Sequence, residues 1–107
     1  MARKKLETLT EQMYYVLLAL RAERHGYAVM QYITDLTGGQ VSVGAGTLYA
    51  LLDRFEKDGL IARTRTEDKR KYYRLTPEGE HTLLTEYERS RRQAADMDRV
   101  LKGEGPS

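Results

Sequence analysis

The sequence predicts a mainly α-helical domain with one small β-hairpin, in the order helix, helix, helix, hairpin, long helix. Three observations carry that expectation. Apolar residues recur at helical spacing in three segments between Met13 and Phe55. Two strand-like segments, Leu60 to Thr66 and Lys71 to Leu75, flank a polar turn from Glu67 to Arg70. Thr76-Pro77-Glu78 then opens a further helix, with a hydroxyl cap, proline at the first helical position and acid in the first turn.

The chain has 107 residues, 40% hydrophobic and 32% charged, which suits one domain with a modest core. No apolar run approaches the roughly 18 residues of a membrane span; Met13 to Leu20 is interrupted by Tyr14 and Tyr15. The basic start Met-Ala-Arg-Lys-Lys is followed by no apolar segment or small-residue cleavage site, so a signal peptide is not expected and the reading is cytoplasmic, without membrane contact. The absence of cysteine excludes disulfides and thiol chemistry.

The first helix begins near Thr10, capped by Thr8 or Thr10, with Met13, Val16, Leu17 and Leu20 on one face. His25-Gly26 breaks it. The second helix carries Val29, Ile33 and Leu36 on one side with Met30 beside them, and Gly38-Gly39 ends it. Val41-Ser42-Val43 alternates and reads as a stub of strand. Gly44 opens the third helix, with Leu48, Leu51, Leu52 and Phe55 inward, and Gly59 stops it. After the hairpin, the last helix runs to about Leu101, before Gly103-Glu104-Gly105-Pro106. Three helices and a two-stranded wing make a winged helix-turn-helix. The expected organisation is a basic arm over 1–8, that domain over 9–76, a C-terminal dimerisation helix over 77–102 and a disordered tail over 103–107.

The net charge of +2 hides a segregation. Residues 1–5 carry three positive charges, and residues 63–74 carry six basic groups (Arg63, Arg65, Lys69, Arg70, Lys71, Arg74) against Glu67 and Asp68. These stretches hold +7, leaving −5 for the other 90 residues. That suits one face meeting phosphates, or a basic solvated loop. The outer side of the third helix shows Gly44, Ala45, Gly46, Thr47, Tyr49, Ala50, Asp53 and Arg54. Small residues at a helix start allow close approach, free N–H groups suit a phosphate, and Thr47 and Tyr49 offer hydroxyls to phosphates or base edges. The alternative is a tight turn with Tyr49 packed on a neighbour. At the hairpin tip Lys69, Arg70 and Lys71 face either a DNA groove or water. Arg3, Lys4 and Lys5 form an arm to DNA or a solubilising tail.

The terminal helix is longer than the core requires. Leu83, Leu84, Tyr87, Ala94, Met97, Val100 and Leu101 trace an apolar stripe, interrupted by Arg91, that meets a second copy of the chain or folds back on its own domain. No catalytic, metal or cofactor site is expected. His25 and His81 are far apart without carboxylates arranged as metal partners, and no phosphate loop or nucleophile elbow is present. His25 suits a helix–helix turn and His81 an exposed surface. Of the eight tyrosines, Tyr14, Tyr15, Tyr27, Tyr32, Tyr72 and Tyr73 suit core and hairpin packing.

Three segments carry a resemblance: His25-Gly26-Tyr27, Gly46-Thr47-Leu48-Tyr49-Ala50-Leu51-Leu52 and Lys71-Tyr72-Tyr73-Arg74-Leu75-Thr76. With Glu56-Lys57-Asp58-Gly59-Leu60-Ile61 between them, residues 9 to 90 resemble the PadR family of bacterial and archaeal regulators. The resemblance implies a winged helix-turn-helix with a dimerisation helix, and repression of a nearby operon relieved by a small-molecule effector. It implies Gly46, Thr47 and Tyr49 on the recognition helix and Lys69, Arg70 and Lys71 on the wing. Many members have Ser-Pro where this chain has Gly44-Ala45, and proline at Ala50. The multidrug-sensing branch has a tryptophan on the last helix; this chain has none and is similar to the shorter, single-helix subfamily.

The expected partners are a second copy of the chain and double-stranded DNA with a pseudo-palindromic operator. Gly46, Thr47, Tyr49, Arg54, Lys69, Arg70, Lys71, Lys4 and Lys5 are the expected DNA contacts. Leu83, Leu84, Tyr87, Ala94, Met97 and Leu101 are expected at the dimer contact. The alternative is a winged-helix protein-interaction module without DNA binding.

Overall fold

The structure is a computed structural model in which residues 8–107 are described. Helix α1 spans Glu11–Ala19, strand β1 Arg24–His25, α2 Gly26–Thr37, α3 Ala45–Lys57, β2 Ile61–Glu67, β3 Arg70–Leu75 and α4 Pro77–Leu101. Thr10, not Thr8, caps α1, its side chain accepting from the Met13 N–H. Thr76 caps α4 by accepting from Gly79 N–H, with Pro77 next in line, as its sequence predicts.

The three short helices pack around Val16, Leu17, Leu20, Val29, Ile33, Leu48, Leu52 and Phe55, all essentially inaccessible to solvent. These positions are the inward faces expected from the periodicity, and dehydrating them is the main term that holds the helices together. Leu36, expected on the same face of α2, is exposed instead: it lies in the last turn, at the surface beside Tyr14, Tyr15 and Leu18 of α1.

The sheet has three antiparallel strands in the order β1-β3-β2. Strand β1 adds to the expected hairpin: Arg24 and His25 pair with Tyr73 and Tyr72, and two residues show no periodicity. Conversely, Val41–Val43 forms no strand. Val41 and Val43 are buried and Ser42 exposed, which produces the alternation, but the segment is held by side chains: the Thr37 hydroxyl, itself donating to Ile33 O at 2.8 Å, accepts from Val41 N–H, and Gln12 Nε2 donates to Ser42 O. A two-residue turn, Asp68-Lys69, closes the hairpin with both residues left-handed (φ 52° and 64°), the pattern that matches strand twist.

Helix α4 packs on α1 through its first turns, with Leu83 in the shared core and Arg21 bridging to Glu80 at 2.9 Å. Every residue from 90 to 101 is exposed. The helix therefore projects from the domain, and the radius of gyration is 16.2 Å, against about 13 Å for a compact chain of this length. The architecture is that of a winged helix with a projecting C-terminal helix.

Candidate nucleic-acid interface

The hairpin and the middle of α3 converge on one groove. Its volume is about 320 Å³, and its walls include Tyr49 and Asp53 from α3, Gly26 and Tyr27 from α2, and Lys69, Arg70 and Lys71 from the wing. Of the outer-face residues expected at DNA, Tyr49 thus shares a concave surface with the wing, whereas Gly46 and Thr47 lie outside it.

Ion pairing sorts the basic residues of the hairpin. Arg63 lies 3.5 Å from Glu56, and Arg65 is bonded to both Glu23 and Glu67. Thr64 also donates to Glu23 and, with Arg65, holds that carboxyl below the usual carboxylate range. These bonds fasten the wing to the turn after α1. Among the described residues, Lys69, Arg70, Lys71 and Arg74 have no carboxylate within ion-pair distance. The uncompensated charge is at the tip and along β3.

Glycine use at the start of α3 points outward. A Cβ on Gly44 or Gly46 would meet nothing within 4 Å. Gly46 is nevertheless the second helical residue, where glycine is still a poorer helix former than alanine, by less than the roughly 1 kcal/mol of a helix interior. No packing among the described residues requires it. Gly44 caps α3 without a side-chain bond, so N–H groups of the first turn face outward. Thr47 is exposed, and Tyr49 is 52% exposed with no intramolecular hydrogen bond to its hydroxyl among the described residues. Arg54 is not brought into the groove: it sits near the other end of α3, 3.8 Å from Asp58. Lys4 and Lys5 lie outside the described residues.

His25 joins α2 to the wing, a connection between segments far apart in the chain. Its Nδ1 accepts from Ala28 N–H and caps α2, its ring meets Tyr72 edge-on at 5.2 Å, and its Nε2 lies 3.3 Å from Arg70. Burial, then the charges of Arg70 and Arg65, push its pKa down. The neutral form is therefore the one the fold favours, and its protonation removes the cap acceptor. Because the folded pKa lies below the unfolded value of about 6.5, this contribution is complete above that pH and is lost as pH falls toward the folded value. Urea melts at pH 7.5 and 5.5 should show a smaller pH-dependent loss in His25→Asn, which keeps a cap acceptor without a titrating ring. An identical loss in both proteins would remove His25 from this role.

Of the expected dimer residues, Leu83 is 3% exposed and belongs to the core of its own domain, because it faces α1 rather than outward. Leu84, Tyr87, Ala94, Met97 and Leu101 are exposed. Among the described residues, no helix is long and apolar enough to cross a membrane, and no cluster of three metal-ligating side chains occurs.

Comparison with known proteins agrees with this geometry. The sequence pattern of the transcriptional regulator PadR-like family matches residues 16–85. An uncharacterised protein of Lysinibacillus sphaericus is 36% identical over 70 residues, covering 62% of this chain; the match spans 64% of that relative's length. A PadR family transcriptional regulator from Eggerthella lenta superimposes with a TM-score of 0.71 at 30% identity, covering 84% of this chain and 80% of that one. Bacillus subtilis PadR in complex with operator DNA superimposes with a TM-score of 0.63 at 26% identity, over 69% of this chain and 45% of that one. The motifs at Gly26, Tyr49 and Tyr73, the winged-helix architecture and these matches have one reading: the chain belongs to the PadR-like family of transcriptional regulators.

Proposed function

We propose that this protein is a sequence-specific DNA-binding repressor that acts as a homodimer. The observation that carries the reading is the groove in which wing cations, without carboxylate partners among the described residues, face Tyr49 of α3, whose small-residue first turn lies outside the groove and is itself open. In this reading α3 enters the major groove, with Gly46 allowing close approach and Thr47 and Tyr49 reaching base edges, while Lys69, Arg70 and Lys71 hold flanking phosphates. The operator complex of the B. subtilis relative supports this use of the fold. Repression follows from occupying a promoter, and the family resemblance supports relief by a small-molecule effector. Replacing Thr47 by alanine tests the base-reading role. Affinity should fall about five- to tenfold on the cognate operator and less on random DNA; equal reductions would mean that Thr47 reads no base.

Dimerisation rests on α4. Tyr87, Ala94, Met97 and Leu101 recur at spacings of seven, three and four residues and so lie along one side of the helix. Met97, Val100 and Leu101 are 54%, 63% and 71% exposed, and no other described element covers the helix there. A second copy of α4 or α1 covers this stripe and sets two α3 helices about 34 Å apart, one turn of DNA. Light scattering at micromolar concentration should give twice the chain mass for the wild type and a lower mass for Leu101→Glu. A monomeric wild type would remove the paired-half-site arrangement.

A further inference from the structure

The contact between Gly26 and Tyr49 joins two of the sequence motifs. A Cβ placed on Gly26 would lie 2.6 Å from the Tyr49 hydroxyl oxygen, 2.8 Å from Cζ and 2.9 Å from Cε1. All three distances are shorter than side chains tolerate, so the ring rests directly on the backbone at the first residue of α2. Gly26 has an ordinary φ, so a turn does not demand glycine there. What demands it is the ring. Tyr49 remains 52% exposed, and its hydroxyl has no partner among the described residues. It is the hydroxyl end of the ring that is seated, and Tyr49 at the same time borders the groove shared with Lys69, Arg70 and Lys71.

We propose that Gly26 is a specificity-positioning residue: it forms the seat that fixes where the Tyr49 hydroxyl is presented to DNA. The inference rests on the DNA-binding reading above and adds a residue that itself touches no base. An alanine at position 26 pushes the ring off its seat. Because the obstacle is the end of a side chain, the ring rotates away and the fold survives, but the hydroxyl leaves its place. A rigid, pre-placed hydroxyl loses little entropy on binding, whereas a displaced one must be re-ordered before it can bond.

The test is a double-substitution cycle on operator and random DNA, with thermal melts of each protein. Gly26→Ala should lower operator affinity about tenfold while changing random-DNA affinity little. Tyr49→Leu should cost a similar amount, and adding Gly26→Ala to it should change affinity by less than about twofold, because the ring is gone. A general structural defect would instead weaken both DNAs alike. Wild-type affinity in Gly26→Ala, or a reduction that persists in full in the Tyr49→Leu background, would overturn the proposal. Should Gly26→Ala unfold the domain, recovery in the double variant would support the seat, and failure of both would overturn it. Failure of the wild type to bind any DNA would instead overturn the DNA-binding reading, and this proposal with it.

Discussion

Replacing Lys69, Arg70 and Lys71 together by glutamine is expected to weaken binding to every DNA sequence by about 10- to 100-fold at moderate salt, and to flatten the salt dependence. The slope of log affinity against log salt should fall by about 0.9 for each phosphate that the variant no longer neutralises. The reason is the sorting of ion pairs along the hairpin. Arg63 and Arg65 already face carboxylates, so their charge is largely compensated, whereas the tip residues have no such partners among the described residues. Only uncompensated cations release counterions in full on meeting phosphate. Glutamine replacements at Arg63 and Arg65 should therefore change the slope less and act mainly by loosening the wing. Lys69→Gly separates charge from backbone geometry. Lys69 is left-handed, with φ 64°, and relieving a non-glycine residue of that conformation is worth about 1 kcal/mol. This variant should melt higher, while its salt slope falls by the share of a single phosphate. Fluorescence anisotropy across a salt series checks all of these, and an unchanged slope in the triple variant would take the wing out of the interface.

Gly79→Ala is expected to have the largest effect on stability. A Cβ at position 79 would sit 2.0 Å from the carbonyl oxygen of Leu60 and 2.9 Å from its carbonyl carbon, with Leu75 Cδ2 at 3.0 Å. The first two obstacles are backbone. That backbone is pinned, because Leu60 O accepts from Thr76 N–H at 3.0 Å and Gly59 O accepts from the Thr76 hydroxyl at 2.6 Å. The start of α4 is thus laid directly on the chain leaving α3, and only glycine leaves room. Relief requires moving a whole helix that also carries Leu83 into the core. The cost should be about 3 kcal/mol or more, a large share of the roughly 5–15 kcal/mol that holds a domain of this kind together. The melting temperature should drop by more than about 10 °C. Gly46→Ala is the contrasting case. Its Cβ meets nothing, so the substitution should stabilise the domain by up to about 1 kcal/mol while reducing operator affinity. Thermal and urea melts of the two variants should move in opposite directions.

Much of this architecture was legible in the sequence because helices advertise themselves by period. The inward residues from Val16 to Phe55 and the Thr76-Pro77 start of α4 fall where the pattern puts them. The departures have physical causes. Val41-Ser42-Val43 buries alternate residues like a strand, yet its hydrogen bonds go to the Thr37 and Gln12 side chains rather than to a neighbouring strand. Strand β1 is two residues long and has no pattern to read. Leu83 begins the same stripe as Tyr87 and Met97, but the stripe leaves the domain only after it, and sequence spacing does not reveal where α1 ends beneath α4. The basic hairpin was legible as charge, but which cations are neutralised depends on Glu23, distant in the chain, and on how β2 folds back beside Glu56 of α3. The same holds for Gly26 and Tyr49: each motif was visible, and their contact across α2 and α3 was not.

Repression, operator choice and the positioning role of Gly26 all depend on sequence-selective DNA binding, which is measured by titrating the wild-type protein against a labelled fragment from upstream of its own gene. Scrambled DNA serves as the control, at low and moderate salt. Binding should be saturable, weaken steeply with salt and favour the native fragment by about a thousandfold or more. No binding to either DNA at low salt would contradict DNA recognition and leave the winged helix as a protein-interaction module.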